Sequence, residues 1–158
     1  MSKFTFLSHS EEQTMKFAES VARKLMPGTV LTLEGDLGAG KTTFTKGLAR
    51  GLGITRTVNS PTFTIIKEYT QGTIPLYHMD VYRLEESDED LGFDEYFNGN
   101  GITVVEWAQF IKDQLPNEWL NINILRVSDH EREIVLQPKG NRYLDLCKEI
   151  AIDESISN

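Results

Sequence analysis

The stretch Thr29-Val30-Leu31-Thr32-Leu33-Glu34-Gly35-Asp36-Leu37-Gly38-Ala39-Gly40-Lys41-Thr42-Thr43 decides the fold. Its first five residues are β-branched or apolar, the pattern of a parallel strand buried on both faces. Gly35 to Thr42 then matches the Gly-x-x-x-x-Gly-Lys-Thr pattern of a P-loop, and Thr42 to Gly51 reads as a helix closed by Gly51 and Gly53. A strand before and a helix after are the setting in which this motif binds phosphate. Gly35, Gly38 and Gly40 let backbone N–H groups fold into a nest, and the following helix turns its positive end toward an anion. Asp36, Leu37, Ala39 and Thr43 complete the expected phosphate-binding segment. Lys41 is expected to neutralise β- and γ-phosphate charge and Thr42 to ligate Mg²⁺, so ATP/ADP or a guanine counterpart with Mg²⁺ is the expected ligand.

Working outward, Ser10 followed by Gln13 starts a helix through a capping box, and Met15, Phe17-Ala18, Val21-Ala22 and Leu25 continue it to Pro27-Gly28. That helix is expected to be the first element of weight. Residues 62–69 and 74–80 read as an antiparallel hairpin turning at Gln71-Gly72, and Ile102 to Val105 as another buried strand. Ala108 to Leu115 reads as a short helix ended by Pro116, Leu120 to Val127 and Arg132 to Gln137 as strands, and Arg142 to Ile152 as a terminal helix. The fold class is therefore α/β: a single P-loop NTPase-like domain with a mixed, mostly parallel sheet flanked by helices, and 153–158 as a loose tail.

At 158 residues the chain suits one domain, and 39% apolar with 25% charged residues marks it as globular. A net charge of −8 argues against a protein that wraps a nucleic-acid backbone, so any RNA contact is expected to be indirect. No run reaches the roughly 20 apolar residues of a membrane span and the N-terminus lacks a secretory apolar core, so no membrane role and a cytoplasmic location are expected. Cys147, the single cysteine, falls in a helical apolar pattern and is expected to be packed inside.

Hydrolysis needs a carboxylate on the metal and a group that orients water. Glu106 follows Ile102-Thr103-Val104-Val105, and Asp80 ends Ile74-Pro75-Leu76-Tyr77-His78-Met79; both stand where α/β sheets bind ligands, at the C-terminal ends of strands. Glu106 and Asp80 are therefore candidate catalytic and metal-linked groups beside Lys41. His78, Asp80 and Tyr82 alternate, so they are expected on one face of a strand. Trp107 reads either as core or as lining of the site. Ser60, Pro61, Thr62 and Phe63 lie where P-loop proteins place a segment that senses the γ-phosphate; a turn capping the strand is the other reading.

Leu33 to Thr43, Ser60-Pro61-Thr62-Phe63, His78-Met79-Asp80-Val81-Tyr82-Arg83-Leu84 and Val105-Glu106-Trp107-Ala108 occur in an order and spacing that resemble the TsaE (YjeE) ATPases of bacteria. The resemblance covers nearly the whole chain. It is especially similar to Bacillus-type members, down to Gly140-Asn141-Arg142-Tyr143. What the resemblance implies is an ATPase, weak alone, that serves N6-threonylcarbamoyladenosine (t6A) formation at position 37 of transfer RNAs reading A-starting codons. Its implied partners are TsaD and TsaB, with tRNA touched only indirectly; self-association is left open. It further implies Glu106 as Walker-B-type metal ligand, 60–63 as switch I, and Asp80 as a catalytic or metal-linked carboxylate. Nothing in the chain matches the Asn-Lys-x-Asp guanine reader, which favours adenine. Arg132 and the helix start near Ser10 are candidates for base or ribose contact. Two other classes share the P-loop. A small-molecule kinase needs an arginine-bearing lid, which the acidic Glu85 to Asp90 does not supply, and a nucleotide-sensing module would differ in being indifferent to partners.

Overall fold

A computed structural model describes residues 2–36, 38–55, 57–58, 65–84 and 92–154. One seven-stranded sheet runs through the molecule in the order β1-β7-β6-β2-β5-β4-β3. Its strands are β1 (Phe4–Ser8), β2 (Val30–Glu34), β3 (Ile66–Tyr69), β4 (Leu76–Asp80), β5 (Ile102–Glu106), β6 (Trp119–Arg126) and β7 (Arg132–Lys139). The helices are α1 (Glu11–Ala22), α2 (Lys41–Gly51), α3 (Phe93–Phe97) and α4 (Asn141–Glu154), with 3₁₀ turns at Tyr82–Leu84 and Ala108–Gln114. The 3₁₀ segment after β5 bends at Ile111, which has non-helical backbone angles, where a regular short helix was expected.

The sheet is mixed, as expected, and its parallel part is the centre: β6, β2, β5 and β4 pair in parallel, while β1–β7, β7–β6 and β4–β3 pair antiparallel. The mostly parallel expectation thus describes the middle and not the edges. β1 is an element the sequence reading passed over. It lies beside β7, at the far end of the chain, and that pairing gives the short Phe4-Thr5-Phe6-Leu7 run a partner.

Composition follows position. β5 is buried along its whole length and β2 along all but its last residue, as parallel strands covered on both faces must be. One apolar cluster joins Leu31 and Leu33 of β2 to Phe17 and Val21 of α1, Phe44 and Leu48 of α2, and Tyr143, Cys147 and Ile150 of α4. A second, smaller one gathers Met79, Val81, Phe93, Phe97, Val105 and Ile111. Tyr143 also accepts a hydrogen bond from the Val30 N–H at 2.9 Å, and Arg142 donates to the Thr29 hydroxyl at 3.2 Å, so α4 ties down the start of β2.

α1 and α2 pack closely through small residues. A Cβ on Gly47 would come within 2.5 Å of the Met15 carbonyl oxygen and 2.6 Å of the Ala18 methyl, and one on Gly51 within 2.7 Å of the Ala22 methyl. The two glycines lie four apart on one helix and the two alanines four apart on the other, so the ridges mesh along one stripe. Among the described residues no helix is long and apolar enough to cross a membrane.

Candidate functional site

β2 delivers the chain into the glycine-rich loop, and Lys41 opens α2 directly after it. Gly35, at φ 153°, cannot carry a side chain: a Cβ there would meet the Ile124 carbonyl at 2.7 Å. Gly40, at φ 109°, precedes α2, and no side chain caps the helix. The first-turn N–H groups of α2 are thereby left to whatever occupies the loop. Asp36, Gly38 and Thr42 are exposed, Ala39 is buried, and Thr43 is half-buried. Leu37 lies outside the described residues.

Across from Lys41 stands Glu106, the last residue of β5. Its Oε1 lies 3.5 Å from Lys41 Nζ, and its Oε2 lies 2.6 Å from His78 Nε2. The register explains the grouping: Glu106 is paired with Leu33 of β2 on one side and with Asp80 of β4 on the other. His78, two residues before Asp80, points to the same face and reaches Glu106 along the diagonal. Burial pushes the Glu106 carboxyl up, but the His78 hydrogen bond and the nearby Lys41 ammonium outweigh it, holding Glu106 below the usual carboxylate range. Glu106 is therefore an anion at neutral pH. His78 is fully buried, and among the described residues its Nδ1 has no hydrogen-bond partner. Asp80, also buried, accepts the Tyr82 N–H on Oδ1 at 3.1 Å.

Tyr82 does not share the strand face with His78 and Asp80, because β4 ends at Asp80 and Tyr82 begins a 3₁₀ turn. It instead packs edge-on against Trp107, with centroids 4.8 Å apart. Trp107 lies at the surface and not in the core. Its φ of 65° is left-handed, uncommon for a bulky residue, and that turn lays its ring against Phe110 and places Lys41 Nζ 5.3 Å from its centroid. A cleft of ≈ 350 Å³ opens here, lined by Gly35, Asp36, Lys41, Trp107 and Asn123 among others.

On the other side of the loop a smaller cleft of ≈ 200 Å³ is lined by Glu11, Thr14, Gly38, Gly40, Thr43, Asp129, His130 and Arg132. Ser10 itself caps α1, accepting the Gln13 N–H at 3.1 Å, while the Gln13 side chain reaches back to the His9 N–H at 2.8 Å. Arg132 is the first residue of β7, and its guanidinium is committed to backbone carbonyls of the glycine-rich loop and of the β6–β7 turn. Ser60 to Phe63 lie outside the described residues.

The sequence reading missed the His78–Glu106 contact, although the motif spacing held its signal. Two carboxylates ending adjacent parallel strands imply that the residue two before one lies diagonal to the other. Asp129 and His130 had no such signal, since only the β6–β7 hairpin brings them to the loop. Among the described residues no group of three or more His, Cys, Asp or Glu is placed to hold a metal alone. The Thr42 hydroxyl and the Glu106 carboxylate are oxygen donors, the chemistry that suits a hard divalent ion.

A glycine-rich loop between the central parallel strand and an uncapped helix, facing a carboxylate on the neighbouring strand, defines a P-loop NTPase-like α/β protein. The model of the family "Threonylcarbamoyl adenosine biosynthesis protein TsaE" matches residues 8–134. The chain belongs to the TsaE family. It is 59% identical over 158 residues to the tRNA threonylcarbamoyladenosine biosynthesis protein TsaE of Bacillus subtilis, covering 100% of both chains. The protein of that name from Treponema pallidum is 42% identical over 132 residues, covering 82% of this chain and 97% of its own. The crystal structure of Bacillus subtilis YdiB superposes with a TM-score of 0.85 at 53% identity, covering 97% of each chain.

Proposed function

We propose that this protein binds and slowly hydrolyses Mg-ATP to drive t6A formation at position 37 of tRNAs reading A-starting codons. The observation that carries the reading is the uncapped start of α2 with Lys41 set 3.5 Å from the buried Glu106. An anion at the loop would be met by the N–H groups of the loop and of the first turn of α2. Lys41, now shared between Glu106 and the Trp107 ring, would exchange those partners for β- and γ-phosphate oxygens. That exchange leaves Glu106 Oε1 free, while His78 keeps the other carboxylate oxygen oriented. Thr42 and Glu106 would hold Mg²⁺, which supplies charge neutralisation at the phosphates. Asp80, paired with Glu106 across β4 and β5, would in this reading orient the attacking water and receive its proton.

The pathway reading rests on family membership and on the names of the relatives. TsaD and TsaB are the partners in this reading, with tRNA contacted only indirectly, in the cytoplasm. The net charge of −8 supports docking on proteins over docking on RNA. The test is t6A formation over many turnovers in a mixture of tRNA, an activated threonylcarbamoyl donor, Mg-ATP, TsaD and TsaB, comparing this protein with Lys41→Ala. Sustained modification by the intact protein alone is the expected result. Equal modification with either protein, or with neither, would sink the pathway while leaving the nucleotide site standing.

A further inference from the structure

The glycine-rich loop has a conformational problem that its own sequence does not solve. Gly38 at φ 80° and Gly40 at φ 109° adopt angles open to glycine, and glycine peptides flip readily between orientations. A loop free to flip binds phosphate only in the fraction of time its N–H groups point inward.

Arg132 acts on that loop through its carbonyls. Its backbone is fixed by the sheet, where it pairs with Ser8 of β1 and with Arg126 of β6. From there Nε donates to the Ala39 carbonyl at 2.9 Å and Nη2 to the Gly38 carbonyl at 3.4 Å. Nη1 is held in turn by the carbonyls of Ser128 at 2.8 Å, Glu131 at 2.9 Å and Asp129 at 3.4 Å. In a trans peptide the C=O and N–H point in opposite directions. Pinning the Ala39 carbonyl toward the arginine therefore turns the Gly40 N–H away from it, and pinning Gly38 does the same for the Ala39 N–H, which meets the Asp36 carbonyl at 2.9 Å.

We infer that Arg132 is a positioning residue that preorganises the phosphate nest by clamping the carbonyls of Gly38 and Ala39 to the β6–β7 turn. This rests on the nucleotide reading above and replaces the sequence-based expectation that Arg132 touches base or ribose. A lysine keeps the charge but lacks the planar fork that spans two carbonyls on one side and three on the other.

The experiment measures binding of Mg-ATP and of Mg-tripolyphosphate, which has no base or ribose, to the full chain and to Arg132→Ala and Arg132→Lys, with thermal midpoints of each unliganded protein. Expected is a loss of about tenfold for both ligands in both variants, as for a charge-assisted hydrogen bond removed, with midpoints within a few degrees of the unaltered protein. Loss confined to ATP would assign Arg132 to the nucleoside and overturn the clamp. Loss on both ligands that Arg132→Lys restores would show a role of charge alone and also overturn it. Should Arg132→Ala fail to fold, Arg132→Lys decides: weakened binding of both ligands supports the clamp, and unchanged binding overturns it. If the unaltered protein binds neither ligand, the nucleotide reading falls and the clamp with it; if it binds both and the variants bind equally well, only the clamp falls.

Discussion

Glu106 holds two partners at once, and each makes a different demand on it. Lys41 is the group expected to leave when phosphate arrives, whereas His78 is buried with no other partner among the described residues and is expected to stay. Replacing Glu106 by alanine should therefore weaken Mg-nucleotide binding, while Asp80→Ala should chiefly lower turnover. Equal losses in both measurements for both variants would leave that division unsupported. The carboxyl also links stability to pH. Its folded-state pKa lies below the ordinary 4.5, so its contribution is fully present above 4.5 and fades as pH falls through the lower folded value. Glu106→Gln should be less stable than the unaltered protein near neutral pH by about 1–3 kcal/mol, with the gap in urea unfolding closing well below pH 4.5. A gap independent of pH would mean that the ionised carboxylate is not what stabilises the fold. The presence of both carboxylates was legible in the sequence because each ends an apolar run. Their partners were legible only in part: once Asp80 and Glu106 are taken as ends of neighbouring strands the His78 diagonal follows, but which strands are neighbours is settled by the whole sheet.

At the scale of elements, α2 is placed by its contact with α1 as much as by the strand before it. Helix propensity alone says that Gly47→Ala should stabilise α2 by up to about 1 kcal/mol. The structure says the opposite, since the new methyl would stand 2.5 Å from the Met15 carbonyl, and overpacking of this kind costs about 1–3 kcal/mol. A lowered urea midpoint is the expected outcome, and a raised one would show that the helices can part without penalty. The strand, loop and helix around residues 30–51 were readable because their signals are local. β1 was not, because Phe4–Ser8 is short and finds its partner only in β7, at the other end of the chain. The same hairpin-dependent geometry hid the contacts of Arg132 with the glycine-rich loop.

For the molecule as a whole, Cys147 reports on global unfolding. It is fully buried on the inward face of α4, and burial alone pushes its thiol up to about 12. Thiol labelling in native buffer should thus be gated by opening of the fold. Mg-ATP at about a hundred times its dissociation constant should slow labelling about a hundredfold, and Lys41→Ala should blunt that protection. Unchanged labelling with nucleotide would argue that binding and folding are not coupled. The sheet order carries one more consequence. Its two outer strands, β1 and β3, have five and four residues, and β3 bears Lys67 and Glu68. Short, charged margins give an incoming strand little ladder to extend. The expected consequence is that a neighbouring protein engages this molecule through side chains and loops and not by adding to its sheet.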